Sequence, residues 1–555
     1  MITLLKNGRL YDPAHGKEGV QQDIYIRDGR IIDKPNAAEK IDQTYDLAGK
    51  VVMAGAIDMH SHIGGGKVNI ARMLLPEFRN ELRTYTEPEA HICTPHCKHH
   101  ATPTTTEIGF KYIEMGYTAA FEPAMMPINA RQTHLEMADV PLIDKGGYAM
   151  LGNDDYFLRM LTAKQDQKAI NDYVAWILHA TQAIGIKVVN PGGISAFKFN
   201  QRKLDLDENN AHYQVSARDI LKALSRAVHE LGVAKPLHVH CNNLGVPGNF
   251  ETTLNTMGAS DGMPMHLTHI QFHSYGTEGD KKFSSAAAQI AEALNKHKHI
   301  TADVGQILFG QTVTASGDTM QQYLNSKLAH PKKSVLMDIE CDAGCGVVPF
   351  KYKDQNYVNA LQWAIGLEIF LSVEDPWRIF LTTDHPNGAP FTCYPHLIRL
   401  LMDKTFRNEM FDKLNLDAQA MSNLKSLERE YTLYEIATMT RAGAAKLIGL
   451  NDRGHLGVGA AADITVYTDQ PDREAMFSKP DFVFKDGELV VKDGKVIKVT
   501  WGATHTAKPA FDSGVEHGLR DYFEKYQTIQ LDNFKVSEEE LNNQVVVHQG
   551  KARAD

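Results

Sequence analysis

Eight apolar runs of strand length, separated by amphipathic stretches, place the strongest constraint on how this chain can fold. They are GYTAAFEPA (116–124), YAMLGN (148–153), GIKVVN (185–190), PLHVHC (236–241), MHLTHIQF (265–272), HITADVG (299–305), SVLMDIE (334–340) and IFLTTD (379–384). Between them lie helical patterns such as QKAINDYVAWILHATQAI and ARDILKALSRAVHELG. A repeated strand–helix alternation requires a parallel sheet, and about eight such units argue for closure into a (β/α)8 barrel. A doubly wound sheet is the competitor, but no GxGxxG follows an early strand.

The two ends have a different texture. ITLLKNG, DIYIRDGRII and TYDLAGKVVMAG alternate apolar and polar positions around Gly- and Asp-containing turns, and DITVY and DFVFKDGELVVKDGKVIKVTWG repeat the pattern at 463–502. Two strand-rich segments flanking a long middle predict one small β-sandwich domain built from both termini. The expected division is β-sandwich at 1–52 and 451–505, barrel at 53–450, and a C-terminal extension at 506–555. In that extension VSEEELNNQVVVHQGKARAD reads as a helix followed by a loose tail.

Of the 555 residues, 43% are hydrophobic, enough to bury a large core. The formal charge of −10 gives no support for nucleic-acid binding, which needs a basic face. Six cysteines are too sparse for a disulfide framework and fit a reduced compartment. MITLLKNGRLYDP lacks the pattern of a signal peptide, and no apolar run approaches 18 residues, so the expected location is the cytoplasm, away from any membrane.

The strongest chemical signal is AIDMHSHIGGGK at 56–67. An apolar strand delivers His60 and His62 at i, i+2, and alternation points both imidazoles the same way, towards one metal ion. Later candidates lie near the C-terminal ends of strands, where barrel enzymes build their sites. Lys187, inside IGIKVVN, is costly to bury as a free ammonium; it either pairs with a carboxylate or is carbamylated by CO2. His240 and His269 are imidazole candidates for a second ion, with His238, His266 and His273 as neighbours that the pattern does not exclude. Asp384, ending IFLTTD, either binds metal and moves protons or caps the following turn.

These words together resemble the amidohydrolase superfamily, whose chains begin and end in a small β-sandwich. More narrowly, nearly the whole chain is similar to the A subunits of the formylmethanofuran dehydrogenases and to the α subunits of bacterial formyltransferase/hydrolase complexes. The resemblance is carried by HSHIGGGKVNIARMLLPE (60–77), MGYTAAFEPAMMP (115–127), IKVVNPGG (186–193), HVHCNNLGVPGNFETT (238–253), THIQFHSYG (268–276), GCGVVPF (344–350), QWAIGLEIFL (362–371), LTTDHPNGAPFTCYP (381–395) and REYTLYEIATMTRAGAAKLIGL (429–450). It implies a metal set of His60, His62, Lys187 as N6-carboxylysine, His240, His269 and Asp384, holding zinc as one or two ions, with Asp384 also the catalytic acid–base. It further implies a methanofuran-type carrier bearing an N-formyl group as substrate, and the other subunits of such a complex as partners. The expected reaction is hydrolysis to formate. The alternatives are condensation of formate with the carrier beside a tungsten or molybdenum protein, a cyclic-amidase activity, and, in another class, an inactive scaffold, which would have lost ligands.

HICTPHCKHHATPTTTE (91–107) is dense in His and Cys, but the Cys93–x3–Cys97 spacing is not that of a zinc finger, and a loop or subunit contact is expected. Cys341 and Cys345 read as packing residues. Lys67, Arg72, Lys198 and Arg202 are the basic candidates for steering an anionic carrier tail.

Overall fold

The computed structural model describes residues 1–75, 105–198, 201, 204–315, 347–541 and 544–549. Eight parallel strands follow one another in chain order: Ala56–Asp58, Tyr117–Met125, Asp144–Met150, Gly185–Val189, Leu237–His240, Met265–Leu267, Ile300–Asp303 and Ile379–Phe380. They are called barrel strands one to eight below. Each pairs with the next, as in Met150↔Lys187 and His238↔Lys187 across the fourth strand. The first and eighth meet just beyond their ends, through a parallel bridge between Ser61 and His385 and a 3.0 Å bond from the His62 amide to the His385 carbonyl. The barrel is complete without residues 334–340, which lie outside the described residues.

The fourth strand shows why the interior runs are strands. Ile186, Val188 and Val189 are β-branched, suit the pleat and are buried. The outer helices carry their own start signals. Gln167–Thr181 begins where the Asp166 side chain accepts from the Ala169 amide, and Ala217–Glu230 begins with a reciprocal Ser216–Asp219 capping box. Among the described residues no helix is long and apolar enough to cross a membrane.

Both ends of the chain build the small β domain together, as one nine-stranded mixed sheet among the described residues. The join is the antiparallel pairing of Lys50–Ala54 with Ile464–Thr468, over a core that includes Leu5, Leu10, Ile24, Val52, Ile464 and Phe484. Buried charges tie this domain to the barrel: Asp144, opening the third barrel strand, accepts from Arg453 at 2.7 Å and lies 3.1 Å from the Lys485 ammonium.

Three features differ from expectation. Thr504–Ala507 leaves the small domain and pairs in parallel with the third barrel strand, and Val545–His548 adds beside it. The tail segment therefore contains a strand, because its three valines are β-branched; among its described residues a 3-10 turn at Glu538–Glu540 stands where a helix was expected. An antiparallel hairpin, Gly310–Ala315 with Val347–Tyr352, is inserted after the seventh barrel strand. It pins the loop beyond the eighth strand, through Thr312 donating to the Pro386 carbonyl and the Tyr352 hydroxyl to Asn387 at 2.9 Å. Cys93, Cys97, Cys341, Cys345 and Arg202 lie outside the described residues.

Candidate active site

At the C-terminal mouth the structure brings the six candidate ligands of the sequence into one buried constellation. His60 and His62 follow the first strand, with their rings 5.7 Å apart and edge to face. The Nε2 atoms of both face one carboxylate oxygen, Asp384 Oδ1, at 2.9 and 3.4 Å. His240, His269 and His273 form a second group, with ring centres 4.6–5.3 Å apart. His60/His62/Asp384 and His240/His269/His273 are each close enough to surround an ion. Lys187 is buried on the fourth strand and senses Asp384, Asp303 and Glu122.

Electrostatics favour cation binding. Burial, reinforced by the Lys187 ammonium, pushes His60 and His240 well below the ordinary histidine pKa, and burial does the same to His269 and His273. A neutral imidazole offers the lone pair that a metal needs. His62 differs: burial acts to lower its pKa, but Glu122 and Asp384 raise it to about 9. Burial lowers Lys187 to about 8 against the pull of its carboxylates, and burial raises Asp384. An amine with a depressed pKa is the form that reacts with CO2, so carbamylation is chemically accessible to Lys187.

The ligands are held from behind. Glu122 Oε1 lies 3.0 Å from His62 Nδ1, while Oε2 accepts from the Ile63 and Gly64 amides at 2.7 and 3.1 Å. The site therefore orients an imidazole through its second nitrogen, as metal sites do. Asp58 accepts from the His60 amide at 3.0 Å and is itself gripped by the Tyr112 and Tyr394 hydroxyls.

Two candidate ligands sit in the left-handed backbone region, His269 at φ 37° and Asp384 at φ 50°, a conformation that costs energy in a non-glycine residue. Gly305 makes room for both. A Cβ there would fall 2.3 Å from His269 Cβ and 3.5 Å from Asp384 Cβ.

Sequence reasoning left His273 as an alternative, and the structure adds it to the second group. It missed Glu122 and Asp303. Each is a lone carboxylate in an otherwise apolar run, the signal already used for Lys187. Arg72, expected as a candidate for steering an anionic tail, is buried and donates to the Ile63 carbonyl at 3.1 Å. Lys67 and Lys198 fall on the helices Gly66–Leu74 and Gly193–Lys198.

The model of the amidohydrolase family matches residues 43–498. The chain belongs to the amidohydrolase family. It is a hydrolase-type enzyme by that membership. This amidohydrolase is 44% identical over 541 residues to the A subunit of the formyltransferase/hydrolase complex Fhc of Methylorubrum extorquens, covering 97% of this chain and 96% of that one. It is 39% identical over 570 residues to protein FwdA of Methanocaldococcus jannaschii, covering 99% of each. Among solved structures, the formyltransferase/hydrolase complex FhcABCD of Methylorubrum extorquens in complex with methylofuran matches with a TM-score of 0.92 and 43% identity, over 99% of this chain and 100% of that one.

Proposed function

We propose that this chain is the hydrolytic component of a formyltransferase/hydrolase complex of one-carbon metabolism, releasing formate from the N-formyl group of a methanofuran-type carrier. The observation that carries it is the convergence of His60 Nε2 and His62 Nε2 on Asp384 Oδ1 at the mouth of a barrel. Similarity to the A subunit of Fhc, and to a complex solved with methylofuran, supports the choice of carrier and of partner subunits.

The donor set fits a binuclear zinc site: the buried imidazoles of His60, His240 and His269 with lowered pKa, His62 set between two carboxylates, the Asp384 carboxylate and a lysine of lowered pKa, with His269 Nδ1 buried and without a hydrogen-bond partner among the described residues. His60, His62, Asp384, His240, His269 and Lys187 as N6-carboxylysine would hold the zinc. The bound ions supply Lewis acidity and lower the pKa of water to about 7. Asp384 takes the proton of the attacking water at its carboxylate and passes it to the departing nitrogen as the C–N bond breaks. The products are formate and the free amine of the carrier. Glu122 keeps His62 turned towards Asp384, and the hairpin that pins Asn387 and Pro386 keeps the Asp384 loop in place.

The similarity to FwdA supports a second direction for the same site, condensation of formate with the carrier beside a redox partner. Retention of all six candidate ligands argues against an inactive scaffold. The test is formate release from the N-formylated carrier by the purified complex, before and after chelation and after zinc is returned. Loss on chelation and recovery with zinc are expected, with one to two zinc ions per chain; full activity of the metal-free protein would refute the proposal.

A further inference from the structure

Beneath the six candidate ligands lies a second polar layer that the hydrolysis above does not use, and its hub is Asp303. This residue ends the seventh barrel strand and is fully buried. Its Oδ1 accepts from the His269 amide at 2.9 Å and from Thr382 Oγ1 at 2.6 Å. Its Oδ2 lies 2.9 Å from His266 Nε2 and 3.7 Å from His60 Nδ1. One carboxylate thus braces groups belonging to the sixth and eighth strands against its own and lies beside His60 of the first. Thr382 Oγ1 already accepts from the Gly305 amide, so its hydrogen goes to Asp303, which is an acceptor towards both the amide and the hydroxyl.

We propose that Asp303 is a positioning residue that fixes the tautomer of His60, keeping hydrogen on Nδ1 and leaving Nε2 open towards a cation. The inference rests on His60 being a metal ligand, as proposed above. Nδ1 of His60 has three neighbours on the side away from Asp384: His238 Nε2 at 2.8 Å, the Thr268 hydroxyl, and Asp303 Oδ2. The first two can donate or accept, so by themselves they leave the proton undecided. The Asp303 carboxylate is the acceptor in both of its bonds to amide and hydroxyl. Its negative charge, in a buried region of low dielectric, favours the tautomer that turns N–H inward. His238 then receives that hydrogen, and the lone pair on Nε2 points at the mouth.

His60, His238 and Asp303 are also close enough to be considered as an ion site of their own. The geometry argues against it. A neutral imidazole carries a single lone pair, so His60 cannot serve this inner group through Nδ1 and the mouth group through Nε2 at once, and it is Nε2 that faces Asp384 beside His62.

The test compares Asp303→Asn, Thr382→Val and His60→Ala in the purified complex, by zinc stoichiometry, by zinc affinity in competition with a chromophoric chelator, and by melting temperature. Asp303→Asn places an amide where only an acceptor serves, and zinc affinity should fall about 10- to 100-fold, the usual effect of losing a partner behind a ligand. Thr382→Val removes a brace but keeps the charge and should leave affinity within about threefold; an equal fall in both variants would make Asp303 merely structural and overturn the inference. Loss of one whole zinc ion from Asp303→Asn at saturating metal, with the others retained, would make Asp303 a ligand and also overturn it. If His60→Ala keeps full zinc binding, the underlying metal assignment fails instead. Should Asp303→Asn not fold, His238→Asn substitutes for it: with the carboxylate intact, affinity should again stay within about threefold, and a tenfold fall would refute the role of the charge.

Discussion

Lys235 offers a quantitative check on the barrel interior. It precedes the fifth barrel strand, and its stem occupies space that Gly185 leaves free; a Cβ on Gly185 would lie 3.1 Å from Lys235 Cγ. The ammonium is fully buried, 5.5 Å from the centre of the Tyr148 ring, with no hydrogen-bond partner among the described residues. Burial lowers its pKa from 10.5 to about 7, with Asp303 opposing the shift and Lys187 adding to it. Between those two values the unfolded chain binds a proton that the folded chain does not, so stability rises with pH across this window. The penalty is complete below pH 7 and absent above about pH 10.5. Its full size is about 5 kcal/mol at 1.36 kcal/mol per pKa unit. Lys235→Met keeps the stem and removes the proton. Below pH 7 the chelator-treated variant should therefore be more stable than wild type, by up to about 4 °C in melting temperature for a chain of 555 residues. The two should converge by pH 10. Paired calorimetric scans at pH 6.5, 8 and 9.5 measure the difference. A gap that does not change with pH, or a variant that is less stable at pH 6.5, would refute the reasoning.

Lys187→Ala should abolish both metal binding and formate release, with partial rescue by millimolar acetate or bicarbonate; metal analysis and a formate assay check it, and a fully active variant would reduce Lys187 to an ion-pair residue. Asp384→Asn should retain much of the zinc but lose about 10²- to 10⁴-fold in turnover, because an amide cannot move protons; unchanged turnover would place the proton carrier elsewhere. Gly305→Ala puts a methyl 2.3 Å from His269 Cβ at φ +63°. It should cost about 1–3 kcal/mol in backbone strain and lower zinc content; a variant with wild-type melting temperature and metal content would show that the two candidate ligands do not depend on that space.

The barrel was legible because its strands are apolar runs broken by few polar residues; the similar run at 334–340 lies outside the described residues. The candidate ligands were legible because polar side chains at the ends of apolar strands are conspicuous. What the sequence hid was depth. Asp303 and Glu122 carry the same signal as Lys187, yet nothing in a one-dimensional string says which side of an imidazole each will face. The choice between His238 and His240 shows this most clearly: both point into the barrel, but His240 stands one layer higher, at the mouth, while His238 lies beneath His60. Arg72, a steering candidate in sequence, is buried in the structure because its acidic neighbours, Glu136 and Glu122, come from other elements.

The bridge between Ser61 and His385 gives the site a mechanical role. Strands one and eight are the ends of a belt more than 300 residues long, and at its buckle His60 and Asp384, 324 residues apart in sequence, touch side by side. A cation held there would act as a cross-link closing a very long loop, and the longer the loop, the more conformational freedom such a clasp removes from the unfolded chain. Metal loading and barrel closure would then be one event. Because Lys50–Ala54 runs directly into the first barrel strand, tension on the buckle would be transmitted straight into the small β domain, so that chelation loosens a sheet that contains none of the ligands.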